Sequence, residues 1–229
     1  MSQPVAGSLF AHLREEDREA VLAAGRRREF PADQLLFQQG DPSTHVFVLL
    51  SGWVRVSAVA KGGGDLLLAF RGPGDAVGEL AAVQDIERVA SVRTVEEVTA
   101  VQLRREQFVG LLSTRPAVAM GMINQLAARV VGATHLRAAF ATLDTTQRVA
   151  ACLVRLMDQH GVPAENGVVL RIRVSQQDVA SQVDASLRSV ARAFGVLRAR
   201  GIVISERARV LIREPGMLRR FAGDQPNGR

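Results

Sequence analysis

The chain has 229 residues and a mass of 24.7 kDa, 47% hydrophobic and 23% charged, enough to bury one large or two small cores and too apolar for a disordered tail. No run approaches the roughly 18 apolar residues of a spanning helix, Arg14 to Arg18 are all charged where a signal peptide needs an apolar stretch, and the lone Cys152 excludes an internal disulfide, a cysteine-ligated iron–sulfur cluster and cysteine-rich zinc folds. The net charge of +6 is carried by the C-terminal part, where fourteen basic residues stand against eight acidic ones from Thr142 onward while the first 141 residues hold fifteen of each.

That asymmetry calls for an anionic partner, and the charge is almost wholly arginine, Lys61 being the only lysine. Guanidinium forks suit phosphate and guanine, and no basic helix carries a matching apolar face, so double-stranded nucleic acid is expected in place of a membrane, in a reducing cytoplasm.

Leu9 to Ala24 has the pattern of a short amphipathic helix, apolar at Leu9, Leu13, Val21 and Leu22, and reads as a lid or cap. From Arg28 to Leu103 short strands follow one another: Gln34 to Gln38, Val46 to Leu50, Val54 to Ala58, Leu66 to Phe70, Val89 to Val92 and Val98 to Leu103. Turns are marked at Gly40-Asp41-Pro42, Ser51-Gly52, Gly62-Gly63-Gly64 and Gly72-Pro73-Gly74-Asp75. Alternation of Val54, Val56 and Ala58 with Arg55 and Ser57 marks a half-buried strand, and the spacing predicts a small antiparallel barrel or sandwich.

After Pro116 the period becomes helical for about 25 residues, roughly 37 Å at 1.5 Å per residue. Ala119, Met122, Ile123, Leu126, Ala127, Val130 and Val131 spread around most of its circumference, so the helix must be covered on two sides. Its own barrel and the same helix of a second subunit are the economical covers, giving a homodimer through Met122, Ile123, Leu126 and Val130; the alternative is a buried central helix of a monomer. Asp144-Thr-Thr-Gln147 is a capping box opening the next helix, which leaves Ala141 to Leu143 as a hinge.

Ser175-Gln-Gln-Asp178 is a second capping box, and after a break at Asp184-Ala185, Ser186 can cap a further helix ending at Gly201. Two helices joined by a short break form a helix-turn-helix, whose second helix enters the major groove. Ser186, Arg188, Ser189 and Arg192 are its candidate DNA contacts, with Ser175 and Gln176 at the start of the first helix and Arg209 in the hairpin that Gly201 to Arg213 would form as a wing. An ordinary helical hairpin with solvated arginines is the alternative. No catalytic constellation, Walker loop or metal cluster is present, and a non-enzymatic role is expected.

These features occur in a telling order: Gly40-Asp41, Gly52, Gly74-Asp75, Gly78-Glu79-Leu80, Arg88-Val89-Ala90, the long helix and the helix-turn-helix. From about Phe10 to Glu214 the chain resembles the cyclic-AMP receptor and fumarate–nitrate regulator (Crp/Fnr) superfamily of bacterial transcription factors. The resemblance implies an α+β protein with an antiparallel β-roll of the cyclic-nucleotide-binding, jelly-roll kind in residues 1–115. A dimerisation helix in 116–140, a hinge in 141–143 and a winged helix-turn-helix in 144–229 would follow. It implies a cyclic nucleotide such as cyclic AMP as effector, an inverted-repeat operator and RNA polymerase as a further partner. Gly78, Glu79 and Leu80 would meet the cyclic phosphate and ribose, and Arg88 the phosphate; Val89 replaces the usual hydroxyl residue, and of the pair on the long helix, Ala133-Thr134, only Thr134 keeps one. The alternative for Glu79 and Arg88 is a salt bridge inside the roll. In the reading helix, Leu187-Arg188 replaces the family's Arg-Glu pair. His12, His45, His135 and His160 are isolated, so haem is not expected, and Cys152 reads as core. A ligand-independent regulator using the roll as scaffold, or a cyclic-nucleotide module without DNA readout, are the competing functions.

Overall fold

The computed structural model describes residues 2–59, 63, 65–206 and 209–223. Two compact units result, 1–132 and 133–229, divided inside one long helix. Of the glycine turn expected at 62–64 only Gly63 falls among the described residues, and the tip of the expected wing, 207–208, lies outside them.

The first unit opens with a 3-10 turn, Phe10–His12, and helix α1, Glu15–Ala24, where the sequence predicts one continuous helix. Arg14 breaks it by taking extended backbone, and Leu9, Phe10 and Leu13 stay buried on their own side of the break. Eight strands follow: β1 (Arg26–Phe30), β2 (Leu35–Phe37), β3 (His45–Ser51), β4 (Val54–Val59), β5 (Asp65–Arg71), β6 (Ala76–Val77), β7 (Ser91–Thr94) and β8 (Val98–Arg104). They form two four-stranded antiparallel sheets, ordered β1-β8-β3-β6 and β2-β7-β4-β5. The strand expected over Val89 to Val92 begins two residues later, because Arg88 commits its backbone bonds to the turn at Gly40 and Asp41.

Alternation on β3 organises the core. Phe47 and Leu49 point to the second sheet, joining Phe37, Val54, Val92 and Val98, whereas Val46, Val48 and Leu50 point outward to a layer of helices and meet Leu9, Phe10, Phe108, Val118 and Met122. That helical layer includes two elements absent from the sequence prediction, α2 (Glu79–Gln84) and α3 (Arg105–Thr114), and the start of α4 (Pro116–Thr142). Helix α4 continues through Thr142 and leaves Leu143 alone ahead of the Asp144 cap.

In the second unit α5 (Thr145–His160) is opened by the expected capping box, Asp144 accepting from the Gln147 N–H at 2.9 Å. Hairpin β9 (Gly161–Ala164) and β10 (Gly167–Leu170) leads to α6 (Gln176–Val183), α7 (Leu187–Ala199), β11 (Val203–Glu206), β12 (Arg209–Ile212) and α8 (Pro215–Phe221). The wing strands do not stand alone: the sheet order is β11-β12-β10-β9, so the earlier hairpin supports them. Cys152 is fully buried here, as are Val149, Leu153, Val179 and Phe194.

Candidate effector pocket and nucleic-acid interface

Three consecutive features hold Arg88 in the roll. Its N–H donates to the Asp41 carbonyl at 2.9 Å and its own carbonyl accepts from Gly40 at 2.8 Å, so the turn between β2 and β3 fixes its backbone. Its guanidinium lies 4.2 Å over the Phe37 ring, donating from Nη1 to the Gly78 carbonyl at 2.9 Å and from Nη2 to the His45 carbonyl. At 4% exposure it is an interior cation, and burial pulls its pKa down from the usual arginine range, with Asp41 and Glu79 opposing. His45, beside it, is likewise lowered, first by burial and then by the Arg88 charge. Nε of Arg88 is buried with no hydrogen-bond partner among the described residues.

Gly78 has to be glycine. Its φ of +83° is left-handed, and a Cβ there would stand 2.6 Å from Nη1 of Arg88. It caps α2, whose first residue, Glu79, is only 3% exposed. The carboxylate of Glu79 does not pair with Arg88, as the salt-bridge alternative would have it. Its partner is Arg129 of α4, whose Nη1 donates to Glu79 Oε1 at 2.5 Å while Nη2 reaches the Ala76 carbonyl at 2.9 Å and Asp75 Oδ1 at 3.4 Å. One turn earlier Gln125, fully buried, accepts the N–H groups of Leu9 and Ala76 at 3.0 and 2.9 Å and donates to the Ala76 carbonyl at 3.1 Å. Neither Gln125 nor Arg129 was among the residues the sequence singles out, although a glutamine and an arginine four apart, and so on one helix face, were the available signal.

Leu80 is exposed on α2, Val89 is 50% exposed beside Arg88, and Thr134 is exposed on α4 in the second unit. For the dimer face, the structure corrects two residues. Met122 is buried in the core of the roll and Leu126 packs partly against it, because Val118, Met122, Gln125 and Arg129 form the helix face that meets the roll. The opposite face carries Met120, Ile123, Ala127, Val130 and Val131 in the open, Ile123 and Val130 among them. The spacing of Met120, Ile123, Ala127 and Val130 is the three-four alternation of a helix seam.

On the second unit the helix-turn-helix has the anticipated geometry. Ser175 accepts from the Asp178 N–H at 3.0 Å and donates its hydroxyl to the Asp178 carboxylate at 2.7 Å, so its side chain is engaged in the cap; Gln176 is half-buried in the first turn. Asp184 closes α6 with φ +49°, the left-handed turn. Ser186 then caps α7 by accepting from the Ser189 N–H at 3.2 Å, and the two hydroxyls sit 3.0 Å apart. Val190, Ala193, Phe194 and Leu197 face the core, and Arg188 and Arg192 project into solvent. Arg209 is exposed on β12. Among the described residues no cluster of metal-ligating side chains occurs, and no helix is long and apolar enough to cross a membrane.

The chain matches the family model of the cyclic nucleotide-binding domain over residues 27–115 and that of the Crp-like helix-turn-helix domain over residues 147–221. It is 30% identical over 196 residues to a CRP-like cAMP-activated global transcriptional regulator of Mycobacterium tuberculosis, covering 85% of this chain and 87% of that one. A cyclic AMP receptor protein of Thermus thermophilus is 28% identical over 214 residues, 93% of this chain and 96% of its own. Among solved structures, the c-di-GMP responsive global regulator of Xanthomonas campestris superposes with a TM-score of 0.75 at 26% identity, covering 87% of this chain and 99% of that one.

Proposed function

The chain belongs to the Crp/Fnr superfamily of bacterial transcription regulators, and from that premise we propose a homodimeric, inverted-repeat-binding regulator whose roll takes up a cyclic nucleotide. Its DNA-binding half is that of a transcription regulator. The observation that carries the reading is α7, a capped helix with its apolar side in the core and Arg188 and Arg192 turned outward within its first two turns. Arginine at such a position meets guanine O6 and N7, and Arg209 would add a phosphate contact from the wing.

In the roll, Arg88, Gly78 and Glu79 supply a buried cation, a close backbone approach and a carboxylate, the set that answers a cyclic phosphate and a ribose hydroxyl. Cyclic AMP and cyclic di-GMP are the candidates, since proteins named for a response to each are similar to this chain. Met120, Ile123, Ala127 and Val130 would pair with the same residues of a second subunit, and 141–143 would act as the hinge toward DNA and RNA polymerase.

A second reading has its own observation. Both terminal nitrogens of Arg88 already serve backbone carbonyls, Glu79 is matched by Arg129, and Val89 offers no hydroxyl, so these charged groups are engaged within the roll, which could serve as scaffold for constitutive binding. Titration of random-sequence-selected DNA with the purified protein, with and without each nucleotide, separates the two. Tightening of the complex by one nucleotide supports effector control; identical affinities in all conditions, with no heat on nucleotide addition, support the scaffold. Sedimentation showing a monomer at micromolar concentration refutes the dimer, and Val130→Arg is expected to produce that monomer.

A further inference from the structure

The reading helix carries a side chain whose placement neither charge nor capping explains. Leu187, the first residue of α7, is 48% exposed, although the helix has a well-filled core face of Val190, Ala193, Phe194 and Leu197. A half-exposed leucine leaves apolar surface in water that burial would have removed. Ser186 and Ser189, which flank Leu187 and Arg188, have their hydroxyls turned to each other and to the helix cap, which leaves Leu187, Arg188 and Arg192 as the exposed side chains of the first two turns. The N-terminal residues of such a helix are the ones that reach base edges. In the major groove only one base edge presents an apolar group, the C5-methyl of thymine.

We propose that Leu187 is a specificity-determining residue that selects thymine by packing on its C5-methyl group, beside the guanine read by Arg188. The proposal rests on α7 being the reading helix and deepens that assignment: the half-site then contains a thymine neighbouring a guanine, one read by an apolar contact and one by a guanidinium fork. A leucine also lacks any group to pair with the exocyclic amine of adenine or cytosine, so those bases would be left with a desolvated donor at that position.

Selection from random DNA with the full chain, repeated for Leu187→Ala and Leu187→Arg, tests this directly. The side chain is exposed, so both variants keep the fold, which urea unfolding verifies. An inverted repeat with one thymine per half-site is expected from the wild type; Leu187→Ala flattens that position, and Leu187→Arg converts it to guanine while the guanine assigned to Arg188 persists. Replacing that thymine by uracil, which lacks only the methyl, weakens wild-type binding roughly three- to tenfold per half-site and leaves Leu187→Ala unaffected. A selected repeat whose every position is indifferent to the Leu187 variants, or equal affinity for thymine and uracil sites, overturns the proposal while the reading helix stands. Failure of the wild type to select any repeat overturns both together.

Discussion

Replacing Gln125 by methionine isolates the polar contribution of one side chain to joining α4, the N-terminal turn and β6. Methionine has nearly the length and volume of glutamine, so no cavity opens and the loss is confined to hydrogen bonds. Two buried backbone groups lose their partner, the N–H of Leu9 and the N–H of Ala76, while the Ala76 carbonyl keeps its bond from Arg129. Each stranded N–H costs roughly 1–3 kcal/mol. The expected destabilisation is therefore about 2–6 kcal/mol, a large part of the whole stability of many domains. Urea denaturation of the Gln125→Met protein, followed by tryptophan fluorescence of Trp53 in the same unit, measures it as a fall in the midpoint at constant slope. A loss below about 1 kcal/mol would show that the neighbouring backbone relaxes to other partners and that the clip is not what holds these segments.

Arg129→Met leaves Glu79 buried without a countercharge and should destabilise by about 3–5 kcal/mol, most of it restored in the Arg129→Met, Glu79→Gln double variant; additive losses would mean the pair is not coupled. Gly78→Ala places a side chain at left-handed φ against Arg88, for an expected cost of at least about 1–2 kcal/mol in urea unfolding, and an unchanged midpoint would contradict that geometry. Burial raises the thiol pKa of Cys152, with Arg155 opposing. The unfolded thiol ionises first, near pH 8.5 or about there, so the stability advantage of wild type over Cys152→Ala should be constant below that pH and shrink as pH rises above it. A pH-independent difference up to pH 10 or so would contradict the raised thiol pKa.

Local signals were legible in the sequence, and signals that depend on a partner were not. The caps at Asp144, Ser175 and Ser186 and the left-handed Asp184 involve residues within three or four positions of one another, and the structure has them all. Strand β1 was missed because Arg26 to Glu29 show no alternation: the strand exists through its pairing with β8, which lies far along the chain. Hairpin β9–β10 hides in the same way, its few valines half-buried and a proline in one arm. In the pocket, Gly78, Glu79 and Arg88 were visible as a motif, yet which carboxylate met which guanidinium depended on α4 lying against β6, and that is a tertiary fact. The two faces of α4 were likewise indistinguishable until the roll claimed Met122 and left Ile123.

Strand β1 also bears on how the protein survives at high concentration. It is the outermost strand of its sheet, bonded to β8 on one side only, so its far edge offers a row of backbone donors and acceptors that another polypeptide could zip onto. Arg26, Arg27 and Arg28 stand exposed along it in succession. A like strand from a neighbouring molecule would bring three more guanidinium groups to the same rim, and their mutual repulsion bars the edge-to-edge growth from which fibrils start. The three arginines cost the sheet nothing in packing and make its open margin self-avoiding.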